Sequence, residues 1–170
     1  MSTVTFQGDP VTLTGKPPAV GASLPAFRVN KNPVESVSVS FPRERPLVVT
    51  TAPSVDTPIC AAQLRTFDDR LRETGDDRPF DFWFVTRDLP FALDRFADEF
   101  DIEAIETLSD FKERSLGEAL GLEIKELGLL ARTVFVIDPD GTVSYREIVS
   151  EIGDEPDYDA VFDAIAEPVA

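Results

Sequence analysis

The sequence predicts an α/β fold: a mixed central sheet flanked by helices, with a β-hairpin at the N-terminus. Two observations carry that expectation. Dense apolar runs at Leu47–Thr51 and Phe80–Val85 alternate with segments of helical spacing in the middle of the chain. Two-strand patterns closed by turn residues occupy both ends. Crossover helices make parallel neighbours and hairpins make antiparallel ones, so the two together require a mixed sheet.

In chain order, Thr3 to Gln7 and Val11 to Thr14 alternate apolar and polar residues around Gly8-Asp9-Pro10, a hairpin within residues 3–14. Gly15 to Pro25, rich in Pro and Gly, is a connector. Ala26 to Val29 and Val37 to Val39 read as short strands before the buried strand Leu47 to Thr51. A helix follows from Thr57 and stops near Gly75. Phe80 to Val85 is dense enough in aromatics to be covered on both faces. Asp88 is placed to cap the next helix, with Pro90 in its first turn and Ala92, Phe96 and Phe100 as its inner stripe, a face that serves equally as core or as part of a dimer contact. Ile105 to Leu108 is a further strand, and Leu116 to Leu120 a short helix ended by Gly121. Thr133 to Ile137 and Val143 to Ile148 flank the turn Asp138-Pro139-Asp140-Gly141. Asp157 to Glu167 closes the chain as a helix with Val161, Phe162 and Ile165 inward. Asp110 and Glu155-Pro156-Asp157 read as helix and turn caps.

The 170 residues suit a single domain, and 42% hydrophobic content with 13 Phe supports a packed core. No apolar run is long enough to span a bilayer, and Met1 to Thr5 lacks the basic and apolar regions of a signal peptide, so the expected location is cytoplasmic. A net charge of -16 argues against nucleic-acid or anionic-membrane partners. The acidic, Lys-poor composition fits a salty habitat and a biased genome composition equally well. The chain has no histidine, which removes Cys/His and Ser/His catalysis and the usual zinc sites, and one cysteine cannot form an internal disulfide.

That cysteine, Cys60, marks the candidate reaction centre. The strand Leu47–Thr51 passes through a short turn into a helix with Thr57 at its N-cap and Pro58 at its first position. Cys60, Leu64, Phe67 and Leu71 then form its apolar face. A helix start offers unpaired N–H groups and the positive end of the dipole, which favour an anion such as a thiolate. Thr57 can turn its hydroxyl toward the sulfur, and Pro53 can wall it off without a competing N–H. A lone cysteine on an apolar face is usually inert core, and Thr57 and Pro53 also serve as plain cap and punctuation. Their combination with the helix start favours a nucleophile.

The spacing Pro53-x-x-x-Thr57-x-x-Cys60 resembles the peroxidatic motif of peroxiredoxins, and Pro53-Ser54-Val55-Asp56-Thr57-Pro58-Ile59-Cys60 is similar to their bacterial thiol peroxidase branch. Further segments match in order: Thr5 to Leu13, Arg87 to Ala92, Thr107 to Phe111, Leu130-Ala131-Arg132 with Val134 to Asp138, and Glu155 to Tyr158. The resemblance implies a thioredoxin-like fold and reduction of hydrogen peroxide and organic hydroperoxides through a Cys60 sulfenic acid, with no cofactor. It also picks Arg132 from the 12 arginines as the active-site guanidinium.

One departure concerns the second thiol. Ala97 stands where that branch usually carries a resolving cysteine, as a natural residue or as an engineered replacement. A one-cysteine cycle follows, in which an external thiol reductant (thioredoxin, a glutaredoxin-like protein or a small thiol) attacks the sulfenic acid. The family also implies a homodimer. Two other readings remain at this stage: a peroxide-sensing module that relays oxidation to a partner without turnover, and a thioredoxin-like fold with no redox role.

Overall fold

The computed structural model describes residues 3–166. The chain forms β1 (Thr3–Phe6), β2 (Asp9–Thr12), β3 (Phe27–Asn30), β4 (Ser36–Val39), β5 (Leu47–Thr51), α1 (Pro58–Glu73), β6 (Asp81–Thr86), α2 (Pro90–Glu99), β7 (Glu106–Ser109), α3 (Ser115–Leu120), β8 (Glu123–Ile124), β9 (Leu129–Leu130), β10 (Thr133–Ile137), β11 (Val143–Ile148) and α4 (Tyr158–Ala166). Glu167, the expected end of the last helix, lies outside the described residues. Seven strands make the central sheet in the order β11-β10-β5-β6-β7-β3-β4. Only β5-β6 and β6-β7 are parallel, because α1 and α2 are the crossovers between them.

Two-residue periodicity divides the buried strands between two cores. Leu47, Val49, Trp83, Val85, Phe135 and Ile137 face one side, with Leu116 and Leu120 of α3. Val48, Phe82, Phe84, Val134 and Val136 face the other, under Leu64, Phe67 and Leu71 of α1, Phe96 of α2 and Val161 of α4. A third, smaller cluster joins Val4, Val11 and Leu13 of the N-terminal segment to Ile124, Ala131 and Ile152.

Four expectations need correction. The first turn is tighter than expected: Phe6 pairs with Asp9, leaving Gln7 (φ 53°) and Gly8 (φ 86°) as the two central residues. Pro10 then falls inside β2, at an edge position that needs no N–H. On α2 the buried residues are Pro90, Leu93 and Phe96, whereas Phe100 is partly exposed and Ala92 is only half-buried. Asp88 does not cap α2, whose N-cap is Leu89 with no side-chain hydrogen bond. Parallel pairing brings the ends of β5 and β6 side by side, so the Asp88 carboxylate instead accepts from Ser54 Oγ (2.7 Å), Val55 N (2.8 Å) and Thr86 Oγ1 (2.7 Å). The paired strands β8 and β9 were absent from the sequence reading, because two residues each give no periodicity to detect.

The N-terminal connector is held against α3 by a backbone contact that only glycine permits. Gly121 ends α3 at φ +64°, and a Cβ there would lie 2.7 Å from Lys16 N and 2.8 Å from Lys16 C. Gly121→Ala is therefore expected to lose about 3 kcal/mol of stability in urea titration, whereas Gly75→Ala, at positive φ in open space, should lose only about 1 kcal/mol.

Candidate active site

Strand β5 delivers the chain to the site, and its last residues lock the surroundings together. Thr50 Oγ1 donates to Thr133 O (2.9 Å) and Thr51 Oγ1 to Ala131 O (2.8 Å), which fixes the start of β10 beside the end of β5. The turn 52–57 follows, anchored by Asp88, and α1 begins at Pro58. Thr57 is the N-cap: its Oγ1 accepts from Cys60 N at 3.3 Å and donates to Ser54 O at 3.2 Å. Thr57 thus holds the first turn by its cap, and its proton is given to a carbonyl rather than to sulfur.

Arg132, one residue before β10, turns its guanidinium across the end of the sheet onto the first turns of α1. Nη2 reaches Cys60 Sγ at 3.4 Å. Nη1 donates to Gln63 Oε1 at 2.6 Å, while Nε (3.0 Å) and Nη2 (2.7 Å) both donate to Ile152 O. Gln63 is itself fixed, since its Nε2 donates to Thr50 Oγ1 (2.6 Å) and Thr51 O (3.2 Å). Arg132 is only 1% exposed, and no carboxylate among the described residues forms an ion pair with it. A buried cation with neutral partners leaves an electrostatic demand for negative charge, and the neighbouring sulfur is where that charge can form.

The sulfur is less open than a nucleophile at a helix mouth was expected to be. Cys60 is fully buried, packed with Ala52, Val55 and Leu64. Its place on the inward stripe of α1 explains this: the face that sets the helix on the sheet carries the thiol with it. Beside it lies an apolar groove of about 410 Å³, whose lining includes Phe6, Pro53, Thr57, Ile59, Arg132 and Glu151 and not the sulfur itself. The four residues singled out from sequence, Pro53, Thr57, Cys60 and Arg132, therefore meet at one place. Gln63 and the Ile152 carbonyl were not anticipated. A polar Gln63 three residues after Cys60, on the inward face of an otherwise apolar helix, was the available signal for the first; the second is a backbone group and leaves none.

Chemically, the arrangement can form negative charge on a sulfur and can stabilise charge passing to an atom bound next to it, through the guanidinium. Among the described residues, no three His, Cys, Asp or Glu side chains stand together in a way that would hold a metal ion.

The chain matches the Redoxin family over residues 19–162. It is 41% identical over 164 residues to the thiol peroxidase of Bacillus subtilis, covering 96% of each chain. It is 38% identical over 168 residues to the thiol peroxidase of Mycobacterium tuberculosis, covering 97% of this chain and 99% of that one. Among solved structures it is similar to a peroxiredoxin-like protein from Aquifex aeolicus, with a TM-score of 0.89 and 36% identity over 96% of this chain and 95% of that one. The thiol peroxidase from Chromobacterium violaceum shares the fold, with a TM-score of 0.80 at 22% identity over 95% and 93% of the respective chains.

Gln63 gives a direct check on the site's energetics. Gln63→Leu would leave the buried Nη1 without its acceptor, and an expected loss of about 2–4 kcal/mol in chemical denaturation follows from stranding a charged donor.

Proposed function

The chain belongs to the thiol peroxidase branch of the redoxin family, and on that premise we propose that it reduces hydroperoxides at Cys60 and is returned to its starting state by a thiol from outside the chain. The single observation that carries this reading is the 3.4 Å approach to the Cys60 sulfur of the Arg132 guanidinium, which forms no ion pair with a carboxylate among the described residues.

The Cys60 thiolate attacks one oxygen of the peroxide, the O–O bond breaks, and the departing oxygen leaves as water or an alcohol after taking a proton. Cys60 is left as a sulfenic acid. An ordinary thiol is already a few per cent thiolate at neutral pH, so complete ionisation accounts for only about 30-fold. The larger share comes from donors aimed at the oxygens as charge moves onto the leaving one, chiefly Arg132 with its fixed fork of N–H groups. Thr57 holds the first turn of α1 and can offer its hydroxyl to a bound oxygen if it releases Ser54 O. Pro53 walls the site without adding a donor. Because the sulfur is fully covered, the cycle includes a step in which side chains between it and the groove shift to admit the peroxide.

With one cysteine in the sequence, and Ala97 half-buried on α2, the oxidised chain has no partner thiol of its own. A first thiol attacks the sulfenic sulfur, expelling water and forming a mixed disulfide, and a second thiol releases Cys60. Thioredoxin, a glutaredoxin-like protein and a small thiol are the candidate reductants. The absence of an internal resolver makes overoxidation to sulfinic acid the main route of loss. A homodimer and a cytoplasmic location complete the proposal. Among the described residues no helix is long and apolar enough to cross a membrane.

Exposure to one equivalent of hydrogen peroxide should add one oxygen to Cys60 by mass, and thiol addition should then support continuous peroxide consumption. A single stoichiometric oxidation with no turnover would contradict the peroxidase assignment. Cys60→Ser should abolish consumption. Arg132→Met should slow sulfenic acid formation on the order of 100-fold, which corresponds to about 3 kcal/mol of lost transition-state stabilisation.

A further inference from the structure

The guanidinium of Arg132 is aimed in large part by one carbonyl, that of Ile152, which takes two of its hydrogen bonds. Ile152 belongs to no strand or helix, so something else must fix it. The backbone of β1 does so: Thr5 N donates to Ser150 O (2.7 Å), and Ile152 N donates to Thr5 O (2.8 Å). The residue between them, Glu151, reaches back over the hairpin. Its carboxylate accepts from Gln7 N (3.1 Å), from Gly8 N (3.3 Å) and from the Thr5 hydroxyl. It also accepts from Gly153 N at 3.3 Å, closing the turn beyond Ile152.

We propose that Glu151 is a positioning residue for the peroxide step: by clasping the N-terminal hairpin it fixes the Ile152 carbonyl, and through that carbonyl the aim of Arg132 at Cys60. The proposal rests on the peroxidase reading above and adds to it a residue that touches neither sulfur nor guanidinium in this structure. The hydrogen bonds, led by that from Thr5, hold the carboxyl of Glu151 below the usual carboxylate range, so at neutral pH both of its oxygens are acceptors. Val4 and Val11 pack with Ile152 in the same small core, so the hairpin and the carbonyl move as one body. Loosening the clasp leaves a buried guanidinium free to rotate away from the sulfur. Misplacement on that scale is enough to slow a reaction that depends on alignment.

The test uses the full chain and two separate rate constants: oxidation of Cys60 by hydrogen peroxide, and reduction of the oxidised chain by dithiothreitol. Glu151→Ala should slow oxidation on the order of 10-fold and leave reduction within about two-fold. Glu151→Gln, which keeps one acceptor oxygen, should restore at least part of the lost rate. In an Arg132→Met background, Glu151→Ala should add no further loss, because the effect runs through the guanidinium. If Glu151→Ala leaves oxidation unchanged, slows both steps in parallel, or costs as much in the Arg132→Met background, the proposal is wrong. A wild-type chain that does not react with peroxide would overturn the peroxidase reading instead, before any variant is compared.

Discussion

A buried positive charge that forms no ion pair with a carboxylate among the described residues is the constraint around which this molecule is arranged. Removing a guanidinium from water costs several kcal/mol unless its donors are met and a negative charge stands near. Here the donors are met by a glutamine, a backbone carbonyl and a sulfur, all neutral when the thiol is protonated. On the proposed mechanism that charge is a bias toward whatever anion forms beside it: first the thiolate, then the oxygen that leaves. A structural ion pair would have spent that bias on stability.

The surrounding fold works mainly to keep that charge in register. Thr50 and Thr51 tie β5 to the start of β10 and present acceptors to Gln63, which in turn holds Nη1. Asp88 secures the turn between β5 and α1, so that Thr57 caps the helix at the residue carrying the thiol. Each contact is an ordinary hydrogen bond of modest net value. Their effect is geometric, because a sulfur and a guanidinium drawn from positions 72 residues apart must meet within a few tenths of an ångström.

Much of this was legible in the sequence, and the reasons differ by residue. The strands at 47–51 and 133–137 were read at their observed limits because central strands buried on both faces are continuous apolar runs, and the edge strand 143–148 because the turn at 138–141 marks where it begins. Thr57 as a cap and Pro58 in the first turn followed from local chemistry. Arg132 did not: its surroundings come from three distant segments, and only resemblance to a family distinguished it from other arginines. Asp88 misled because the local rule, an acidic residue before a helix, competed with a tertiary one, the nearness of the β5 loop, and the tertiary contacts won. The burial of Cys60 was implicit in its own helical stripe, which places the sulfur on the face that packs against the sheet.

The backbone pairing of Thr5 with Ser150 and Ile152 joins β1 to a segment far along the chain. In synthesis on the ribosome, the helix bearing Cys60 emerges well before residue 152 exists. A nascent chain can fold β5 and α1 and yet lack the carbonyl that directs its arginine. On the proposed mechanism the site therefore waits on residue 152, and a chain cut short before it would carry the cysteine without the carbonyl that holds Arg132.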